Sequence, residues 1–239
     1  GFTLFDIGNN TTYGPTGPSG YIGPVKPITN IEGLYASMNT ILSSSGNTYS
    51  LINIGTGKRS YNIKFDTLEI YNANTITLNN NLYVIRSLSP NVDVECNVIN
   101  VYLPHLTVSG SREMMLIKII TDDYVPTNLS SIQNYFNIKT NIINSYINTN
   151  NGSHLLISCY GKTNTNTRGN TNLYISSNVI SMNTIVNNNN KPTGDPYYYG
   201  LMHVLTLNMM LSCNTIDFVC KTFTSGNLPI VVYSCNSIF

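Results

Sequence analysis

Hydrophobic and polar positions alternate along much of the chain, and the alternation restarts in a fixed frame. In residues 172–185, Leu173, Ile175 and Ser177 alternate with polar neighbours, Asn178 interrupts, and Ile180 and Met182 resume. Period 2 specifies a strand with one buried face. The interruption predicts a corner, since Asn tolerates left-handed backbone better than other non-Gly residues. The same frame recurs as Val92, Val94 and Cys96 before Asn97, and as Phe136, Ile138 and Thr140 before Asn141. It returns as Met209, Leu211 and Cys213 before Asn214, and as Val231, Tyr233 and Cys235 before Asn236. A weaker first copy reads Ile63, Phe65 and Thr67, with Leu68 at the corner. Two apolar positions and then a Cys, Ser or Thr precede every corner, which marks an internal repeat.

One copy is too thin to bury its own apolar face, so copies must stack into a continuous core. Further apolar runs at 82–85, 115–120, 155–157 and 201–205 add another strand to several copies. The predicted fold is all-β, a parallel β-helix with three strands per coil over residues 48–239. A β-sandwich or jelly roll is the alternative reading of many short strands with polar turns. Asn97, Asn141, Asn178, Asn214 and Asn236 are expected to stack as an amide ladder, as identical residues do in cross-β structures. Cys96, Cys213 and Cys235 are expected inside, unbridged. Ile31, Leu34, Tyr35, Met38, Ile41 and Leu42 follow helical spacing after an Asn30 N-cap. They predict a helix over 30–47 that caps the core. Residues 1–29 are expected to form an extended arm. The alternating copies, with corner separations of irregular length, resemble right-handed parallel β-helix proteins of the pectin-lyase-like type. That resemblance implies architecture and no chemistry.

Within the arm, Gly14, Gly17, Gly20 and Gly23 recur at period three, and Pro follows three of them. This is the Gly-X-Y signature of a collagen triple helix, where only Gly fits at the axis. The run resembles collagen-like stalks that end in a globular head, as on giant-virus particles and bacterial spore coats. The resemblance implies a surface fibre and, because a triple helix needs three chains, a homotrimer.

Composition narrows the partners. Charged residues are 10% of the chain and the net charge is +1. With no basic run, nucleic-acid binding has no electrostatic footprint. No stretch reaches the ~20 apolar residues of a membrane-spanning helix. No Cys-x-x-Cys occurs, and His105, His154 and His203 are scattered, so neither a metal nor another cofactor is expected. Two insertions, 121–134 and 161–171, follow equivalent strands of consecutive coils and should lie side by side. Tyr197, Tyr198 and Tyr199 fall in a third, a polar loop suited to sugar rings, which makes surface glycans the expected ligand class. Glycoside hydrolysis would need two carboxylates on neighbouring strands. Asp66 and Glu95 fill that role in the repeat frame, with Lys139 beside Glu95, although a surface charge ladder has the same pattern. The expected function is a non-enzymatic structural or adhesive head on a collagen-like fibre, outside the cell or on a virion or spore surface. The alternatives are a polysaccharide-degrading β-helix enzyme of the tailspike type and a coat building block without receptor function.

Overall fold

The computed structural model describes residues 2–7, 28–38, 48–56, 60–110, 112–123, 134–164, 167–187 and 199–222. In chain order the strands are β1 (Phe2–Ile7), β2 (Ile28–Ser37), β3 (Thr48–Ile54), β4 (Ser60–Tyr71), β5 (Ile76–Leu78), β6 (Asn81–Ser87) and β7 (Val92–Val108). They continue as β8 (Glu113–Thr121), β9 (Tyr135–Thr149), β10 (Ser153–Gly161), β11 (Asn172–Val186), β12 (Tyr199–Val204) and β13 (Asn208–Thr222). The described residues contain no helix. A short-strand sheet runs β1-β3-β6-β8-β10-β12, and a long-strand sheet runs β2-β4-β7-β9-β11-β13, with β5 on the end of β7. Every named pairing is parallel. From β1 to β13 the chain passes back and forth between the two sheets and extends each in order.

The two kinds of sequence pattern become the two kinds of strand. Long strands alternate buried and exposed positions, as β11 does at Leu173, Ile175 and Ser177. Short strands are buried on both faces, which is why they read as continuous apolar runs; all nine residues of β10 are buried. The core lies between the sheets. Leu68, Ile99, Ile143 and Ile180 form one interior column in register, each 0% exposed. Each contributes roughly 1.5–3 kcal/mol by leaving water.

The corners follow from hydrogen bonding. The cross-strand register is interrupted at residues 66, 97, 141, 178 and 214, between pairs such as Cys96↔Thr140 and Val98↔Ile142. Before the corners at 97, 141, 178 and 214 stands a small polar residue that bonds two carbonyls there, whereas Phe65 precedes the corner at 66. Ser177 Oγ donates to Val179 O at 3.0 Å and to Asn141 O on the neighbouring strand at 3.4 Å. Thr140 Oγ1 does the same to Ile142 O and Asn97 O, and Cys96 and Cys213 do so with thiols. The Cys, Ser or Thr of the repeat therefore satisfies backbone acceptors that a buried bend must not leave unpaired. The corner Asn residues do not use left-handed backbone. Among the described non-Gly residues only Asn91 has positive φ, at 64°.

Three expectations are corrected. The segment expected to be a capping helix contains strand β2, paired with β4 as Ile31↔Ile63 and Gly33↔Phe65. Gly33 is decisive: a Cβ there would sit 2.5 Å from Phe65 Cε1. The Phe65 ring occupies that space, and strand pairing prevails over weak helical spacing. Leu34, which the helix would have buried, is 85% exposed; residues 39–47 of the expected helix lie outside the described residues. Likewise the start of the expected arm, Phe2–Ile7, is an edge strand paired with β3. The first repeat copy is also shifted. Phe65 pairs with Cys96 and Leu68 with Ile99, so the first corner is Asp66, and Leu68 is an interior residue.

Cys96 and Cys159 are buried free thiols, whereas Cys213, expected in the interior, is half-buried. Burial raises Cys96 to about 11 and Cys159 to about 12, which suppresses the reactive thiolate. A thiol reagent is expected to reach these two only on unfolding. Rapid modification of Cys96 in the folded protein would contradict its place in the core.

Candidate functional site

The densest group of ionisable side chains lies on the face of the short-strand sheet turned away from the core. Register places Asn53, Arg86, Lys118, Ser158 and His203 in one column across β3, β6, β8, β10 and β12. Tyr83, Met115 and Leu155 form a small buried apolar cluster beside it. Lys118 is 2% exposed. Its Nζ donates to Glu113 Oε1 at 3.1 Å and to Oε2 at 2.9 Å, and lies 4.5 Å from the centre of the Tyr160 ring. Tyr83 Oη donates to Glu113 Oε2 at 2.5 Å. His203 tilts against Tyr160 with centroids 6.1 Å apart, and Arg86 Nη1 donates to Asn53 Oδ1 at 2.9 Å.

Within this arrangement Glu113 matches the charge of Lys118, while Arg86 bonds the neutral amide of Asn53. Burial, reinforced by Glu113, pushes the Tyr83 phenol well above its ordinary range. Burial and then Lys118 lower His203, which keeps it neutral. Both Glu113 oxygens accept hydrogen bonds, so the carboxylate holds the ammonium rather than standing ready as a base. An ion pair whose ammonium is buried against an aromatic ring is suited to holding strand register. The sequence reading passed over it. The available signal was Lys118 itself, the one charged residue within the apolar run 115–120.

The carboxylates singled out from sequence are placed differently from expectation. Asp66 stands in the corner column, where its Oδ1 accepts from Asn97 Nδ2 at 3.3 Å. Glu95 stands in the row Lys64, Glu95, Lys139 and pairs with Lys64 at 3.7 Å, both side chains more than half exposed. The two carboxylates are diagonal rather than opposite, because the first corner is at 66. Asn97, Asn141, Asn178 and Asn214 fall in one column by register. In this column Asn214 Nδ2 donates a hydrogen bond to Asn178 Oδ1 at 2.6 Å. A second polar column joins Glu69, Asn100 and Asn144 at 2.8 and 3.0 Å. Beside it Tyr71, Tyr102 and Tyr146 stack with 5.4 Å between successive centroids. Their ring faces are turned to one another, and Tyr71 remains 42% exposed.

Tyr199 opens β12. Tyr197, Tyr198, Cys235, Asn236 and the collagen-like triplets lie outside the described residues. The two insertions after β8 and β10 do touch. Lys162 Nζ bonds Asp122 Oδ1 at 2.8 Å, and the backbone N–H of Thr163 donates to Asp123 Oδ1 at 3.1 Å. These bonds engage the acidic pair Asp122 and Asp123. Among the described residues no group of three or more His, Cys, Asp or Glu could hold a metal ion.

One polar network lies inside the core. His154 is 0% exposed, its Nε2 is 3.0 Å from Ser145 Oγ, and its Nδ1 bonds Thr184 Oγ1. Burial alone lowers its pKa to about 3. A serine against an imidazole is the pairing of nucleophilic catalysis. Here, however, Ser145 and Thr184 are as buried as the ring, so no substrate reaches the pair, and His154 is a packed residue. His105, by contrast, is exposed. Comparison with protein-family models, curated protein sequences and solved structures finds no match to this chain.

Proposed function

We propose that this chain is the non-enzymatic, structural or adhesive head of a collagen-like fibre displayed outside the cell or on a virion or spore surface. In this reading the two parallel sheets wind as a parallel β-helix, each long strand bending at its corner into two runs and the short strand supplying the third. The regular alternation of the chain between the sheets supports that winding. The observation that carries the non-enzymatic reading is the engagement of Asp66 by Asn97 and of Glu95 by Lys64. Both carboxylates belong to cross-strand ladders whose spacing is set by the strands. The adhesive part of the reading rests on Tyr197, Tyr198 and Tyr199, with surface glycans as ligand class.

The triplets at Gly14, Gly17, Gly20 and Gly23 imply three chains, and so few triplets need help from contacts between heads. Sedimentation of the purified chain at micromolar concentration is expected to show a trimer. Gly17→Ala with Gly20→Ala should weaken the trimer without unfolding the sheets. A monomer at that concentration would overturn the fibre-head reading.

A further inference from the structure

The two ends of the long-strand sheet are finished differently. At the β2 end Ala36 and Met38 are both 3% exposed, so the core is closed there. At the β13 end it is open. Ile216 continues the interior column of Leu68, Ile99, Ile143 and Ile180, all 0% exposed, yet is itself 44% exposed. Leu211, Cys213, Phe218 and Cys220 are only half-buried, while their register partners Ile175, Ser177, Met182 and Thr184 are buried. Among the described residues no further layer of apolar side chains covers β13.

The chain carries a segment with the matching side chains. Val231, Tyr233, Cys235, Asn236 and Ile238 repeat the frame of Met209, Leu211, Cys213, Asn214 and Ile216. Set parallel on β13, they would place Ile238 over Ile216, Tyr233 over Leu211 and Asn236 beside Asn214. Adding a strand to a sheet edge is a general mode of association.

Chain length decides which copy supplies it. The described corners 66, 97, 141, 178 and 214 are 31, 44, 37 and 36 residues apart by subtraction, but 236 follows 214 by only 22. The shortest described return between long strands, from Tyr71 to Val92, uses 20 residues and includes the seven of β6. Only eight residues separate Thr222 from Val231. They extend to about 30 Å at most, with no room for a short-sheet strand and a turn at each end. We propose that the open β13 end is an interface, filled by residues 231–238 of a second copy of this chain. Passed from each chain to the next, this contact closes into a ring. The inference rests on the self-associating head proposed above and names the contact that holds the heads together.

The test uses the whole chain with Cys220→Ser, allowed to associate from dilute solution in the presence of a short bifunctional thiol reagent, while Cys213 is still half-buried, and mapped by mass spectrometry. The expected result is a link between Cys213 of one chain and Cys235 of another, abolished by Cys235→Ser. Ile238→Asp should raise the concentration at which the oligomer forms at least tenfold while the sheets stay folded by circular dichroism. A Cys213–Cys235 link within one chain would overturn the exchange between copies. An oligomer by sedimentation without the link would overturn the seat on β13 and leave the fibre-head reading standing. A monomer would remove both.

Discussion

Glu113→Gln is expected to destabilise the protein by about 3–5 kcal/mol, and Lys118→Met by well under half as much. The asymmetry follows from burial. The Lys118 side chain is 3% exposed and that of Glu113 is 32% exposed. Neutralising Glu113 strands a positive charge whose remaining close neighbour is the Tyr160 ring at 4.5 Å. Replacing Lys118 with an apolar chain of similar length leaves a carboxylate that water reaches and that Tyr83 still bonds. The double variant should be close to Lys118→Met alone, because the stranded charge is gone. Urea unfolding of the three variants at neutral pH measures all of this. Equal losses for the two single variants would show that the pair does not act through the buried ammonium.

Acid is expected to weaken the folded state through His154. Folding lowers its pKa from 6.5 to about 3 by burial, and its ring bonds two hydroxyls rather than a carboxylate. Between those pH values the unfolded chain takes up a proton that the folded chain refuses. The contribution is fully present above pH 6.5, falls as pH drops towards 3, and falls no further below that. At ~1.4 kcal/mol per pH unit its full size is on the order of 5 kcal/mol. His154→Gln keeps an amide for Ser145 and Thr184 but cannot titrate. It should be less stable than the parent at pH 7.5 and lose less stability between pH 6.5 and 4, so the two curves converge. Parallel curves over that range would mean that His154 is not the titrating group.

The strands were legible because alternation is a local property. The side chains of 92–96, 136–140, 173–177 and 209–213 announce a buried face whatever lies beside them. The doubly buried short strands were legible as apolar runs for the same reason. The small polar residue before the corners at 97, 141, 178 and 214 was visible too, but its purpose was not. It bonds a carbonyl of the preceding long strand, as Ser177 does Asn141 O, 36 residues away in sequence.

The misplaced first corner has an equally definite cause. Moving the frame of 63–70 by two residues leaves every side chain on the same face. The pattern of Ile63, Phe65, Leu68 and Ile70 therefore accommodates a corner at 66 or at 68. Pairing with β7 decides, because Leu68 then joins the interior column with Ile99, and Asp66 is carried to Asn97 rather than to Glu95. At Gly33 the spacing of Ile31, Leu34, Tyr35 and Met38 pointed to a helix, and the Phe65 ring of the neighbouring strand required a glycine in a strand. Lys118 could be seen as a charge in an apolar run, but not that Tyr160, from the neighbouring strand, would cover it. By itself the sequence determined that most of the strands form, that four of the long ones bend at 97, 141, 178 and 214, and which side of each is apolar, since these depend on neighbours along the chain. Only the tertiary structure decided which residue stands beside which. Register between parallel strands is a choice among segments 30 or more residues apart, settled by the side chains that meet there.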